Sequence, residues 1–223
     1  MATPNVTKLH FFPLSQPSRS VRMLCREANI DVEEVEINIM SGENKKPEYL
    51  AVNPTGLVPF LEDGDLGLSE GAAILTYLAE SRKLTSWYPE DLRVRAKVNQ
   101  WLHWNHTNTR MSTSKLLVPA VILKMEIKEA DMEAMKRSLS FLDTHLENNT
   151  FVAGTEAPTI ADLIILPELD QIHTDAFGLL DLTPYSHIMR YIGALKAALN
   201  SYDEMTAPVL HVASTVRAEK ASA

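Results

Sequence analysis

Residues 9–22 constrain the fold more than any other segment, because they place a short apolar run directly before a helical pattern. Residues 9–12 predict a short strand, and Pro17 suits the first turn of a helix. The apolar positions of that helix are Val21, Leu24, Cys25 and Ala28. Ser15 therefore lies at the helix start, where unpaired amides and the helix dipole favour an anion. An N-cap serine without any ligand is the commoner explanation of such a pattern.

The first third of the chain alternates strand and helix patterns. Residues 35–39 alternate apolar and polar side chains, as in a half-buried strand. The apolar runs on both sides of Asp63 and Gly64 predict a hairpin, and another helix begins near residues 69–71. Residues 41–48 are polar and predict a loop. We therefore predict a mixed sheet, in which a helical crossover joins two parallel strands and the hairpin adds an antiparallel edge.

Strand patterns end near residue 82, and helical stripes follow. Their apolar positions are Val94, Val98, Trp101 and Leu102, then Met132, Met135, Leu139, Leu142 and Leu146, then Ile188, Tyr191, Ile192, Leu195 and Leu199. Thr159 and Asp162 form a predicted capping box with Asp at N3. We predict an α/β domain over residues 1–82, a linker over residues 83–92 and an all-helical domain over residues 93–223.

Composition limits the partners of this chain. Its 223 residues contain 21 Lys and Arg against 29 Asp and Glu, a formal net charge of −8. This balance argues against nucleic acid or an anionic membrane as a partner, although a local basic pocket is compatible with a small anion. Cys25 is the only cysteine, which excludes an intrachain disulfide and favours a reducing compartment. Because residues 1–8 lack a signal-peptide pattern and no apolar run approaches membrane-helix length, we predict a cytoplasmic protein.

Four features in this order resemble the cytosolic glutathione transferase family. They are residues 15–19 after the first strand, residues 53–59 before the third, residues 69–75 at the next helix, and the pair Thr159 and Asp162. The first of these and the linker residues 87–89 resemble the theta class and the neighbouring delta class most. The resemblance covers essentially the whole chain.

The resemblance implies a thioredoxin-like first domain that binds glutathione, a helical second domain that shapes an electrophile pocket, and a two-fold homodimer. It implies a detoxification enzyme that conjugates the glutathione thiolate to apolar electrophiles, with glutathione as co-substrate and without a metal. Reduction of organic hydroperoxides is a further implied activity. The alternative is a non-catalytic module of the same fold that binds ligands or assists assembly.

The resemblance also implies roles for individual residues. Ser15 would donate a hydrogen bond to the glutathione sulfur. Val58, before a cis Pro59, would pair its backbone with the cysteinyl part of the ligand like an added strand. Glu70 would attract the γ-glutamyl amine, and the backbone N–H of Gly71 would bind the γ-glutamyl carboxylate. Without the resemblance, Pro59 is predicted to be a trans proline of an edge strand.

Three positions depart from the theta-like pattern. Gly71 stands where the family carries a hydroxyl residue, which removes a hydrogen bond worth about 1 kcal/mol. Asn44 replaces a histidine that faces the glycyl carboxylate, and Leu57 replaces a lysine. Lys45 either compensates for these changes or is an ordinary solvated residue. Glutathione recognition is expected, its affinity is left open, and Gly71→Ser is expected to tighten binding a few-fold.

A polar face is predicted on the helix after the linker. His103, His106, Thr107 and Arg110 are spaced i, i+3, i+4 and i+7. No acidic or sulfur ligand joins the two histidines on this face, so a metal is not expected. We expect this face, together with Phe12, to line the electrophile site. Arg110 either stabilises developing negative charge there or is a solvated helix residue. The buried stripe of the first helix marks its cysteine as a core residue rather than a nucleophile.

Overall fold

The computed structural model describes residues 6–173 and 175–221. Within these residues, four strands form one mixed sheet in the order β2-β1-β3-β4. They are β1 (Lys8–Phe11), β2 (Glu33–Glu36), β3 (Phe60–Asp63) and β4 (Leu66–Ser69). β1 pairs parallel with β2 and antiparallel with β3, and β3 pairs antiparallel with β4. The predicted crossover and hairpin are therefore confirmed.

Helices flank this sheet and form most of the remaining described chain. They are α1 (Gln16–Glu27), α2 (Pro47–Val52), α3 (Gly71–Ser81), α4 (Leu92–Thr107), α5 (Glu129–Leu146), α6 (Ile160–Ile172), α7 (Ser186–Ala198) and α8 (Tyr202–Ala221). A π-helical segment, Ser112–Ile122, lies between α4 and α5. Residues 82–91 separate α3 from α4, and the last residue of the predicted linker (83–92), Leu92, is the first residue of α4. The fold class, a thioredoxin-like α/β part followed by a helical part, is confirmed.

The segment after β2 differs from the prediction. The strand ends at Glu36, and Asn38 starts a 3-10 turn because its side chain accepts hydrogen bonds from the amides of Met40 (3.0 Å) and Ser41 (3.1 Å). Such local bonds compete with continuation of a strand. The polar residues 41–48 contain a second short turn and the start of α2, so they are not a simple loop.

The main core joins both parts of the molecule. Helix α1 packs against α3 and also against α6, so it contacts the sheet side and the helical side at once. Burial raises the pKa of Cys25 on this helix to about 12, so its thiol remains protonated at neutral pH and packs as a core group. Fully buried core residues include Leu9, Leu24, Leu61, Leu75, Leu139 and Ile165.

The predicted capping box at the start of α6 is confirmed. The carboxylate of Asp162 accepts hydrogen bonds from the backbone N–H (2.7 Å) and the hydroxyl (2.9 Å) of Thr159. It also accepts a bond from the N–H of Val152 at 3.0 Å. Burial raises the pKa of Asp162 although these bonds oppose the shift. The box therefore fixes a preceding loop as well as the helix start.

None of the helices in the described part of the chain has the length and apolar character that crossing a bilayer requires. The expectation that no signal peptide is present concerns residues 1–8, and residues 1–5 lie outside the described residues.

Candidate functional site

Two adjoining cavities lie where the sheet and α1 meet the helical part. The first, which we call the polar cleft, has a volume of about 150 Å³. The second, which we call the apolar cavity, has a volume of about 330 Å³. Leu57, Val58 and Arg110 line both. The two spaces therefore adjoin each other at these three residues.

The segment before β3 forms one side of the polar cleft. Leu57, Val58 and Pro59 all line it, and the bond between Val58 and Pro59 is cis, as the resemblance implies. The backbone carbonyl of Leu57 accepts hydrogen bonds from the Tyr49 hydroxyl (2.6 Å) and from Nδ2 of Asn53 (2.8 Å). These bonds fix the segment against α2.

The start of α3 forms the opposite side of the cleft. Glu70 and Gly71 line it, and Ser69 contributes a further polar side chain that lies beside them. Glu70 has φ of 71°, a backbone conformation that non-glycine residues rarely adopt. Strained positions of this kind cluster at ligand sites, because the surrounding structure must hold them in place. Gly71 is the first residue of α3, where backbone N–H groups have no partner within the helix.

Gly71 is required by packing, which corrects the expectation for Gly71→Ser. A Cβ atom added at this position would lie 2.7 Å from Cβ of Pro17 and 3.4 Å from Cδ1 of Ile164. The first distance is well inside van der Waals contact, and Pro17 has no flexible side chain that can move away. The close approach of α1 and α3 therefore explains why position 71 carries glycine and not a hydroxyl residue.

Gly71→Ser is now expected to weaken glutathione binding and to destabilise the fold by about 1–3 kcal/mol, because overpacking forces the two helices apart. Urea melts and calorimetry with glutathione measure the two effects. Ala73→Ser, two positions further along α3, lines neither cavity and is the control, so it should change both values less. Tighter binding of Gly71→Ser at unchanged stability would show that the helices yield without cost.

Asn44 and Lys45 lie beside Gly56, the residue before Leu57. Nδ2 of Asn44 donates a hydrogen bond of 2.7 Å to the carbonyl of Gly56, and the residue lines the apolar cavity rather than the polar cleft. Lys45 is exposed and lines neither cavity, although its Nζ atom lies close to Gly56. The ammonium group is therefore beside the segment that borders both spaces.

Ser15 caps α1 and lines the apolar cavity. Its Oγ accepts a long hydrogen bond of 3.4 Å from the N–H of Ser18. A hydroxyl that accepts such a bond retains its own hydrogen for donation to another group. Ser15 is half-buried, at the point where the first amides of α1 begin. The geometry combines a hydroxyl donor with the positive end of a helix dipole.

The apolar cavity takes most of its walls from residues that sequence reasoning missed. Phe12, which directly follows β1, is one of its lining residues. The additional apolar residues belong to the loop after β2, the π-helical segment and α8, and they include Ile39, Met40, Leu117, Val118, Val121, Val209 and Val212. They share no sequence pattern, because three distant segments each contribute a few side chains.

The α4 histidines and Thr107, which the sequence predicts for the electrophile site, are not among the residues that line the apolar cavity. His103, His106 and Thr107 are exposed, and none of them lines the apolar cavity. The helix ends at Thr107, and the backbone at Asn108 turns out of helical geometry, with φ of −123° and ψ of −89°. Arg110 therefore does not continue their face, although it lines the apolar cavity.

The two histidines border other spaces. His106 lines the polar cleft, and both His103 and His106 line a groove of about 520 Å³ between α3 and α4, which we call the α3–α4 groove. Thr107 lines neither. The described residues contain no group of three or more His, Cys, Asp and Glu that could hold a metal ion.

A hydrogen-bonded network joins residues that line the two cavities. Arg110 Nη1 donates to Oε1 of Glu168 (2.8 Å) and to Oε1 of Gln16 (2.9 Å). Gln16 Nε2 donates in turn to Gln171, so the residue after Ser15 is held by α6. Glu168, Gln16 and Gln171 were not among the predicted site residues. The available signal was the pair Glu168 and Gln171, which lie one turn apart in a helix of mostly apolar residues.

Arg19 adds a fixed positive charge near this network. It is fully buried, and its Nη2 donates to the carbonyl of Pro167 at 3.3 Å. Burial lowers the pKa of Arg19 to about 10, although Asp170 and Glu168 oppose the shift. The guanidinium therefore remains charged at neutral pH, within the first turns of the helix that Ser15 caps.

Comparison with known proteins agrees with this geometry. A family model described as the N-terminal domain of glutathione S-transferase matches residues 9–86, and one described as the nuclear-export cofactor Arc1p matches residues 123–199. Glutathione S-transferase T1 of Arabidopsis thaliana is 35% identical over 211 residues, which are 88% of this chain and 86% of that protein. Glutathione S-transferase T3 of the same plant is also 35% identical over 89% of this chain, but the match spans only 36% of its length.

Solved structures agree as well. The glutathione transferase BmGSTD1 of Bombyx mori superimposes with a TM-score of 0.87 at 30% identity, covering 96% of this chain and 100% of that chain. Human glutathione transferase theta-2, in complex with glutathione and an unknown ligand, superimposes with a TM-score of 0.86 at 28% identity, covering 96% of this chain and 91% of its own. The chain therefore belongs to the glutathione S-transferase family.

Proposed function

We propose that this protein is a serine-type, theta-like glutathione transferase that joins the glutathione thiolate to an electrophilic carbon of an apolar small molecule. The observation that carries the proposal is the wall of Leu57, Val58 and Arg110 that the polar cleft shares with the apolar cavity. In this proposal the thiol and the electrophile meet beside these three residues, and such proximity supplies a large part of the acceleration of many two-substrate reactions.

In this proposal, the polar cleft holds the peptide part of glutathione. The backbone of Val58 pairs with the cysteinyl residue. The carboxylate of Glu70 attracts the γ-glutamyl ammonium group, and the N–H of Gly71 donates to the γ-glutamyl carboxylate. Ser69 supplies the hydroxyl that Gly71 lacks. The residues proposed around the glycyl end are Asn44, Lys45, Leu57 and Pro59.

Ser15 and Arg110 are the proposed catalytic residues. Ser15 donates its hydroxyl hydrogen to the sulfur and stabilises the thiolate. Arg110, which lines both cavities, faces the negative charge that develops on the electrophile. Phe12 packs against the apolar part of the electrophile. The same thiolate is proposed to attack the outer oxygen of an organic hydroperoxide, which breaks the O–O bond and releases the alcohol. The glutathione sulfenic acid that results then reacts with a second glutathione to give the disulfide and water.

Two measurements on the purified chain test the proposal. We expect retention on immobilised glutathione, with elution by free glutathione, and turnover of a generic aryl halide. A parallel screen of hydroperoxides and isothiocyanates identifies the preferred electrophile. Absence of both retention and turnover across the screen would contradict the proposal.

The second candidate function is a non-catalytic ligand-binding or assembly module. The match of residues 123–199 to the model described as nuclear-export cofactor Arc1p favours it. This candidate predicts a folded protein without turnover in any arm of the electrophile screen. Turnover that depends on glutathione concentration would exclude it.

We also propose a two-fold homodimer. The α3–α4 groove is lined by Leu68, Ala72, Ala73, Leu102 and Tyr77 among other residues, and it lies open at the surface of one chain. In a two-fold dimer, the same groove on each of the two subunits would be covered by the other subunit. The α3–α4 groove adjoins the polar cleft, because Glu70 and His106 line both the groove and the cleft.

Sedimentation at micromolar concentration is expected to give twice the 24.9 kDa mass of the chain. Ala73→Arg should produce a monomer, since it places a charge in the proposed interface. Ala207→Arg, at an exposed position of α8, is the control and should remain dimeric. A wild-type monomer under these conditions would contradict the homodimer.

We also propose that the protein is cytoplasmic. The role we infer for the protein is detoxification of reactive apolar compounds. The support is the single cysteine, which is buried and protonated. A reducing compartment suits both this thiol and the reduced glutathione that the reaction consumes. Fractionation of cells that express the chain tests the location.

A further inference from the structure

Glu168 is a buried carboxylate in the wall of the candidate site, and the proposed contacts with glutathione do not use it. Its side chain is only 2% exposed. It accepts hydrogen bonds from Arg110 Nη1 (2.8 Å), Ser112 Oγ (2.6 Å) and Thr113 Oγ1 (2.7 Å). Buried carboxylates are costly unless paired in this way, so one inside a site invites a functional explanation.

The bonds of Glu168 lead to Ser15 through two residues. Arg110 Nη1 bridges Glu168 and Gln16, and Gln16 directly follows Ser15 at the start of α1. Gln171, one turn after Glu168 on α6, donates to Glu168 (3.2 Å) and accepts from Gln16. The helical part of the molecule therefore holds the turn that carries the proposed sulfur contact.

The pair also sets the charge of the site. Arg110 is 37% exposed and lines both cavities, whereas its partner Glu168 is enclosed. Because the two opposite charges are 2.8 Å apart, their fields largely cancel at a nearby thiolate. Loss of either partner leaves the other unbalanced, and an unbalanced charge shifts the pKa of a neighbouring thiol in a direction that depends on its sign.

We propose that Glu168 is a positioning residue of the transferase reaction, which orients Arg110 and Gln16 beside Ser15 and balances the charge of Arg110. This inference rests on the proposed function, because the group on which the pair acts is the glutathione thiol. Glu168 touches neither the sulfur nor the electrophile in this arrangement and acts through Arg110.

The test is a pH titration of thiolate absorbance for bound glutathione, combined with steady-state rates. Glu168→Gln removes a negative charge at nearly constant size, so it should lower the pKa of the bound thiol by about half a unit or more. Arg110→Gln should raise this pKa by a similar amount. The double variant should return close to the wild-type value, because both charges are then absent. Each single variant should lose about tenfold in kcat with little change in KM for glutathione, since orientation is lost.

Asp143→Asn is the control, because it neutralises a half-buried carboxylate on α5 that accepts hydrogen bonds from the backbone N–H groups of His187 and Ile188 (2.9 Å each) and lines neither cavity. It should leave the titration unmoved. Shifts of the same sign in the two single variants, or no shift in either, would overturn the inference. If Glu168→Gln does not fold, the test rests on Arg110→Gln. An unchanged pKa of the bound thiol in that variant would overturn the inference. A wild-type chain without glutathione binding or turnover refutes the proposed function itself, and this inference with it.

Discussion

Replacing Ser15 with alanine is expected to lower turnover about 10- to 100-fold, which corresponds to roughly 1.4–2.7 kcal/mol of transition-state stabilisation. The reason is that the hydroxyl hydrogen of Ser15 remains free to donate while its oxygen caps α1. The apparent pKa of bound glutathione should rise in the variant. Its affinity for glutathione should stay nearly intact, because the hydroxyl acts on the sulfur and not on the carboxylates. Titration of thiolate absorbance beside steady-state rates measures both.

Ser20→Ala is the matched control for Ser15→Ala. Ser20 lies later on α1, is fully buried, and donates its hydroxyl to the carbonyl of Gln16 at 3.0 Å. It lines neither cavity, so turnover should be unchanged. Loss of the long N-cap bond should cost Ser15→Ala only about 0.5 kcal/mol of stability, the low end for a cap. Ser15→Thr, which keeps a hydroxyl, should recover part of the rate.

Wild-type turnover with an unmoved titration in Ser15→Ala would exclude the serine as the activating residue. Arg110 would then be the next residue to test, because it lines the same cavity. Two other hydroxyl residues, Ser18 and Tyr88, line neither cavity. Ser18 is fully buried, and the Tyr88 hydroxyl donates to Asn99 at 2.9 Å.

The expected loss exceeds what thiol ionisation alone explains. A thiol with a pKa near 8.5 is only about 3% ionised at pH 7, and lowering the pKa by about two units gives roughly 25-fold more thiolate. Weaker nucleophilicity of the stabilised thiolate removes about tenfold of that gain. The rest of the effect must come from holding the sulfur in place against the electrophile. This is why the network behind Ser15 matters to its function.

Features that depend on neighbouring residues could be predicted from the sequence. The cap of α1, the hairpin at Asp63 and Gly64, and the box of Thr159 and Asp162 all appear as predicted. Each is a short-range interaction, in which one residue type satisfies backbone groups two to four positions away. The cis bond before Pro59 was expected only from the family resemblance, since no local pattern distinguishes it from a trans proline.

Features that depend on distant contacts could not be predicted. The close approach of Gly71 to Pro17 joins residues 54 positions apart, and nothing beside either residue signals it. The end of α4 was missed for a similar reason. Asn108 donates from Nδ2 to the carbonyl of Trp104 (2.9 Å) and accepts from Ser138 of α5 (2.9 Å). The helical spacing of polar residues continues past Asn108 in the sequence, whereas the helical conformation of the backbone ends at Thr107.

Asp162→Ala is expected to destabilise the protein by about 3–5 kcal/mol, more than the 0.5–2 kcal/mol typical of a cap alone. In addition to the loss of the cap, the variant leaves two buried N–H donors unsatisfied. The carboxylate is fully buried, and its loss leaves the N–H groups of Thr159 and Val152 without an acceptor in a site that water does not reach. Each buried unsatisfied donor costs about 1–3 kcal/mol.

Urea melts of the variants measure this loss, and Asp181→Ala provides the matched control. Asp181 accepts the same pair of bonds, from the N–H (2.9 Å) and the hydroxyl (2.8 Å) of Thr183, but it is exposed. Water replaces its carboxylate, so its urea midpoint should hardly change. Asp162→Asn should be intermediate, because the amide oxygen still accepts while its NH₂ group faces a donor. Equal midpoints for Asp162→Ala and Asp181→Ala would show that burial adds nothing to the box, and that the start of α6 is held by its apolar packing instead.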